Sequence, residues 1–159
     1  MSFSNFILYG ARHSRTLNQL TSWTRLEGLE LYSGVVDYET SLKISAVGLG
    51  DHWELELGEV CHSAEVWVNG ELVGCAWTTP FRLDVSRQLR PGLNSVRLRV
   101  ANLAQNRIIE MQQKHLPWQK CRLEENDFQG YCGPLRLDKL TPMKSGLLGP
   151  VKLLMYRKL

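Results

Sequence analysis

The sequence lacks the features that mark several large functional classes. It contains no run of about 18 apolar residues, so it encodes no helical membrane span. Charge of one sign is never concentrated: 19 basic and 16 acidic residues are interspersed and leave a net charge of +3. A nucleic-acid interface shows a basic stripe, and none is visible, so no nucleic-acid partner is expected. The Gly-x-Ser-x-Gly turn of serine hydrolases is absent, as is a glycine loop that cradles phosphate. Cysteine is sparse. Cys61, Cys75, Cys121 and Cys132 form no Cys-x-x-Cys pair, and His13, His52, His62 and His115 are scattered, so no metal site is expected.

Three further segments bear on compartment and cofactor. Cys121 and Cys132 lie in a predicted loop, where a disulfide and two free thiols fit equally, so the compartment stays open. Glu124, Glu125 and Asp127 supply oxygens suited to a structural calcium ion but lack the spacing of a dedicated calcium loop. A solvated acidic loop without cofactor is the expectation. The apolar stretch Phe3 to Gly10 precedes the first positive charge, Arg12, which reverses the order of a secretory signal. Either the chain is intracellular, or it belongs to a larger protein whose signal lies elsewhere. In the second case, a secreted parent places it in the periplasm or outside the cell.

What the sequence does have is a period of two. Val36, Tyr38, Leu42 and Ile44 alternate with Asp37, Glu39, Ser41 and Lys43 within Tyr32 to Ile44, the pattern of a strand with one buried face. The pattern returns at Trp53, Leu55 and Leu57, at Phe81, Leu83 and Val85, at Val96, Leu98 and Val100, and at Val151, Leu153 and Met155. Asn69-Gly70 between Val66-Trp67-Val68 and Glu71-Leu72-Val73 predicts a two-residue type I′ hairpin, because both turn residues reach positive φ readily. A plain register sets Val68 opposite Glu71, Val66 opposite Val73 and Ala64 opposite Cys75, with Trp67 and Leu72 paired on the other face. Both faces of this ribbon are partly apolar, which predicts a central position between two layers. The whole reads as one all-β domain over residues 1–159, an antiparallel β-sandwich or jelly roll. Residues 1–20 form an N-terminal extension. Residues 103–145 form a long loop or insertion, with a helical piece within Asn102 to His115.

Catalysis finds little support. A glycosidase places two carboxyl groups about 5–5.5 Å apart for retention or about 6.5–9.5 Å for inversion. Glu54 and Glu56 share a strand face at a spacing of about 6.5–7 Å. Both sit on the wet side of a half-buried strand, however, where acidic residues are ordinary, so no catalytic residue is assigned. Sugar binding demands less: an aromatic face for the C–H side of a pyranose, and amides or guanidinium groups for its hydroxyls. Candidates at strand ends and loops are Trp77, Thr78, Thr79, Asn102, Asn106, Arg107 and Trp118.

An ordered series of segments resembles the sugar-binding jelly roll of glycoside hydrolase family 2. It comprises Tyr32-Ser33-Gly34, Ala64 to Gly70, Gly74, Pro80 to Val85, Leu89 to Asn94 and Val100-Ala101-Asn102. The later part, Asn106-Arg107 and Ser145 to Leu153, is similar to the version in α-L-rhamnosidase-like enzymes. Ile108 to Met111 departs from that pattern after Arg107, and Cys75-Ala76 stands where small polar residues are usual. The resemblance implies a galactose-binding-like sandwich and catalytic carboxylates on a separate barrel. It also implies that the partners are an oligo- or polysaccharide and the catalytic domain of a parent hydrolase. Two other readings remain open: a packing module that buries the Trp67 and Leu72 face against its partner, and a small free-standing glycosidase that uses Glu54 and Glu56.

Overall fold

The computed structural model describes residues 1, 3, 5–9, 14–48, 51–116 and 141–156. Its strands are β1 (Phe6–Tyr9), β2 (Ser14–Leu17), β3 (Val35–Ile44), β4 (His52–Glu56), β5 (Glu59–Cys61), β6 (Ser63–Val68), β7 (Glu71–Ala76), β8 (Arg82–Asp84), β9 (Gly92–Ala101), β10 (Gly146–Gly149) and β11 (Lys152–Tyr156). One helix, α1 (Gln105–Gln113), follows β9, and a short 3-10 turn spans Trp23–Arg25.

Six strands form one antiparallel sheet in the order β2-β1-β3-β9-β6-β7. The opposing layer is smaller. β11, β4 and β8 form one ladder, and β10 with β5 forms another. Both strands of the second ladder continue from strands of the first, across Gly58 and Gly149-Pro150. This is the antiparallel β-sandwich that the period-two pattern predicts.

The alternation explains the core directly. Phe6, Leu8, Val36, Tyr38, Ala64, Val66, Val96, Leu98 and Val100 are buried on the inner face of the large sheet. Trp53, Leu55, Leu153 and Leu147 meet them from the smaller layer. Each large side chain so buried contributes about 1.5–3 kcal/mol relative to exposure. Two polar groups of the core are paired with each other: the Trp23 indole Nε1 donates to the Tyr38 hydroxyl at 2.6 Å, and the Leu147 amide donates to the same oxygen at 3.2 Å. Burial pushes the Tyr38 phenol above its ordinary pKa, so it stays neutral. Gly146, at φ +92, lies against this pair, and a Cβ there would come within 2.3 Å of the Trp23 Nε1. Only glycine fits.

The structure departs from the sequence reading in three places. The hairpin turn is as expected, with Asn69 at φ 53 and Gly70 at φ 86, and Trp67 lies opposite Leu72. Beyond Trp67, however, a β-bulge shifts the register, so Val66 faces Gly74 rather than Val73 and Ala64 faces Ala76 rather than Cys75. The extra residue turns Ala76 into the core and leaves Cys75 exposed, a better division of apolar and polar groups than the plain register gives. Secondly, the hairpin is not central: β7 is the outer strand of the sheet, so Leu72 is exposed. Thirdly, the strand expected from Tyr32 starts at Val35. Residues 1–20, set apart in sequence as an extension, supply β1 and β2 at the other edge of the same sheet.

Candidate functional site

Strand direction decides which loops share an end. β9 finishes at Ala101, which pairs with Val35 at the start of β3 and with Ser63 at the start of β6. β7 finishes beside the same edge, with Ala76 opposite Ala64. The loops that carry Tyr32 to Gly34, Trp77 to Pro80 and Asn102 onward therefore leave from one end of the sandwich. About two strand spacings, roughly 10 Å, separate Trp77 from the Asn102 region. Six of the seven sugar-site candidates lie in these loops or in the first turn of α1 just beyond, while Trp118 lies outside the described residues, as do Cys121, Cys132 and the Glu124, Glu125 and Asp127 cluster.

The two asparagines face inward. Asn102 accepts from the Gly34 amide at 2.8 Å and donates to the Tyr32 carbonyl at 2.8 Å and the Ser145 hydroxyl at 3.1 Å. Asn106 is buried; it donates to the Met143 carbonyl and the Ser145 hydroxyl, both at 2.9 Å, and accepts from the Met143 amide at 2.7 Å. Together they bind the chain before β3 and the chain before β10 to the end of β9. Arg107 donates from its amide to the Ser33 hydroxyl at 2.9 Å, and its guanidinium pairs with Glu110. Lys114 and Arg107 together hold the Glu110 carboxyl below its usual pKa. What faces solvent is Trp77, 74% exposed, with Thr78, Thr79, Leu103 and Val35.

Three carboxylates of the smaller layer lie against basic side chains. Glu56 accepts from Arg82 Nε at 3.0 Å and Nη2 at 2.6 Å. Glu54 lies 3.4 Å from His52, whose other nitrogen is 3.6 Å from Asp84. These groups line the outer face of β4 and β8, on the wet side expected from the alternation. Among the described residues no group of three or more His, Cys, Asp and Glu side chains is arranged to hold a metal ion.

The outer face of the large sheet extends the predicted Trp67 and Leu72 face to residues that the sequence reading does not join to it. In register across five strands run Ile7, Glu39, Arg97, Trp67 and Leu72. Arg97 lies over the Trp67 ring, 4.3 Å from its centroid, and Arg99 lies 5.3 Å from it. A depression of about 610 Å³ opens there. The odd positions of β3, β6 and β9 hold the signal that predicts this row, but only cross-strand register assembles it.

Comparison with known proteins matches this architecture. A family model described as glycosyl hydrolase 2 galactose-binding domain-like matches residues 31–134. A putative beta-glucuronidase of Formosa agariphila is 32% identical over 157 aligned residues, which cover 86% of this chain and 13% of that protein. The structure of a rhamnosidase from Novosphingobium sp. PP1Y matches with a TM-score of 0.78 at 28% identity, over 98% of this chain and 15% of that one. A beta-D-glucuronidase of Dictyoglomus thermophilum shares the fold, with a TM-score of 0.55 at 24% identity over 64% of this chain and 19% of that one. The chain thus spans less than a fifth of the length of each of these relatives.

Proposed function

Because the chain belongs to the glycosyl hydrolase 2 galactose-binding domain-like family, we propose that it is a non-catalytic accessory domain of a glycoside hydrolase, which supports a catalytic domain and does not cleave glycosidic bonds. The observation that carries this reading is the state of the carboxylates: Glu56, Asp37 and Glu110 are each tied to a cation. A glycosidase needs one carboxylic acid and one carboxylate facing each other across a substrate. The carboxylates set opposite each other in register, Glu54 and Asp84, both lie against His52 on the outer face of their strands.

The loop end is the contact surface of this reading. With the Asn102 and Asn106 amides committed to backbone groups and the Ser145 hydroxyl, that end offers few free hydrogen-bond partners for a sugar. It does offer an exposed tryptophan with Leu103 and Val35, and aromatic anchors of this kind dominate protein interfaces. Packing on a catalytic domain is therefore favoured over sugar capture at this end. A sugar reading of the loop end rests on Trp77, Thr78, Thr79 and the exposed Arg107. The test has two parts. Purified chain incubated with chromogenic β-glucuronide, α-L-rhamnoside and β-galactoside is expected to release no chromophore. Turnover that disappears in Glu54→Gln contradicts the proposal. Binding to rhamnose-, galactose- or glucose-containing glycans that is lost in Trp77→Ala moves the loop end from packing to sugar recognition.

A further inference from the structure

Two arginines occupy equivalent positions on the outer face of the large sheet, and only one has its donors matched. Arg99 lies opposite Asp37, and Arg97 lies opposite Glu39, two residues further along the same pair of strands. Asp37 accepts from Arg99 at both oxygens, from Nε at 2.8 Å and from Nη2 at 3.0 Å. Glu39 makes no such fork with Arg97, and among the described residues no side-chain carboxylate lies within 4 Å of the Arg97 guanidinium. The Arg97 guanidinium rests instead on the Trp67 ring. Stacking fixes the plane of the group, and since its N–H bonds lie in that plane, the donors remain available along its edge.

The unmatched fork borders the depression of about 610 Å³, whose lining includes Ile7, Glu39, Ser41, Trp67 and Ser95. That volume suits a small molecule, since such sites measure about 300–1,000 Å³. We propose that this depression binds an acidic sugar, a uronic acid unit, with Arg97 as the bidentate donor to its carboxylate. A guanidinium edge matches a carboxylate in planarity and spacing, which an ammonium group does not. Glu39, directly across the strand pair with its Cβ about 4.5–5.5 Å away, supplies an acceptor where an anion would be repelled and a hydroxyl welcomed. A uronate ring presents both groups, a carboxylate and vicinal hydroxyls, on one rigid frame. The Ser41 and Ser95 hydroxyls add neutral partners, and Ile7 gives its C–H face an apolar contact. The site does not depend on the accessory reading, because it lies on the sheet face and not at the loop end.

Binding to the whole chain, followed by calorimetry and by the side-chain resonances of Arg97 and Trp67, tests the assignment. Methyl β-D-glucuronide is expected to saturate the site. Methyl β-D-glucoside, which lacks the carboxylate, and acetate, which lacks the ring, are each expected to bind at least about tenfold more weakly. Arg97→Lys keeps the charge but removes the fork, and is expected to weaken the glucuronide by about tenfold. Asp84→Asn, on the outer face of the opposite layer, leaves the affinity within about twofold. Four results overturn the proposal: equal binding of the glucoside, equal binding of acetate, an unchanged affinity in Arg97→Lys, or no saturation by any probe. The last leaves the face to protein contact. Absence of hydrolysis bears only on the accessory reading, so the two fail separately.

Discussion

The loop end and the outer sheet face divide the polar side chains of this domain in opposite ways. At the loop end, Asn102 and Asn106 have the residue type and position of sugar ligands, yet each makes three hydrogen bonds to its own chain. On the sheet face, Arg97 has the position of an ordinary wet-side residue, yet it stands stacked over Trp67 with its carboxylate partner withheld. The difference shows that a residue's availability to a ligand follows from which hydrogen bonds it has already made. Residue type and exposure alone mislead in both regions.

The sharpest way to break this comparison is to remove the buried amide. Asn106→Ala strands the Met143 amide and removes one donor each from the Met143 carbonyl and the Ser145 hydroxyl. It is expected to cost about 2–4 kcal/mol in urea denaturation, the range for a buried hydrogen-bond network. Asn102→Ala, part-buried and equally connected, is expected to cost about 1–3 kcal/mol by the same measurement. If either substitution leaves the midpoint unmoved, the inward role assigned to the loop end is wrong.

Smaller effects sharpen the contrast from the other side. Asp37→Asn opens the Arg99 fork on a partly exposed surface and is expected to cost only about 0.2–1 kcal/mol. Arg97→Met and Trp77→Ala, with no such network to lose, are each expected to stay within about 0.5 kcal/mol of the parent by thermal unfolding. The smallest effect is a pH dependence. The Ser86 hydroxyl and amide donate to Asp84 and hold its carboxyl below its ordinary pKa. A depressed folded-state value contributes stability above the unfolded value, near about 4. That stability is lost as pH falls through the lower folded value. Acid unfolding of Asp84→Asn should lack this component, which is well under about 1 kcal/mol because the carboxylate is largely exposed.

The sheet architecture was legible because side-chain alternation is a local property. Val96, Leu98 and Val100, or Trp53 and Leu55, announce their buried face within a few residues. The Asn69-Gly70 turn was legible for the same reason, since its positive φ angles are a property of two residues. The bulge after Trp67 was not, because its cause is non-local. It places Ala76 in the core against Ala64 and lets Gly74 approach Leu83 of the other layer, at 3.4 Å from an added Cβ. The edge position of the hairpin likewise follows from the pairing of β6 with β9, a separation that no local pattern encodes. At the candidate sites, sequence identified residues with suitable chemistry at strand ends. It missed that Ser145, some forty residues beyond Asn102, lies between the two asparagines. The extension of the predicted Trp67 and Leu72 face to Arg97, Glu39 and Ile7 was invisible for the same reason, since these come from three further strands.

The contrast between the two regions is tested most directly by mapping amide and side-chain resonance shifts across the labelled chain as methyl β-D-glucuronide is added. The account predicts saturable shifts at the outward positions of β3, β9 and β6, centred on Glu39, Arg97 and Trp67, with Asn102 and Asn106 still. Shifts centred on Trp77, Thr78, Asn102 and Arg107, with the sheet face silent, would contradict it.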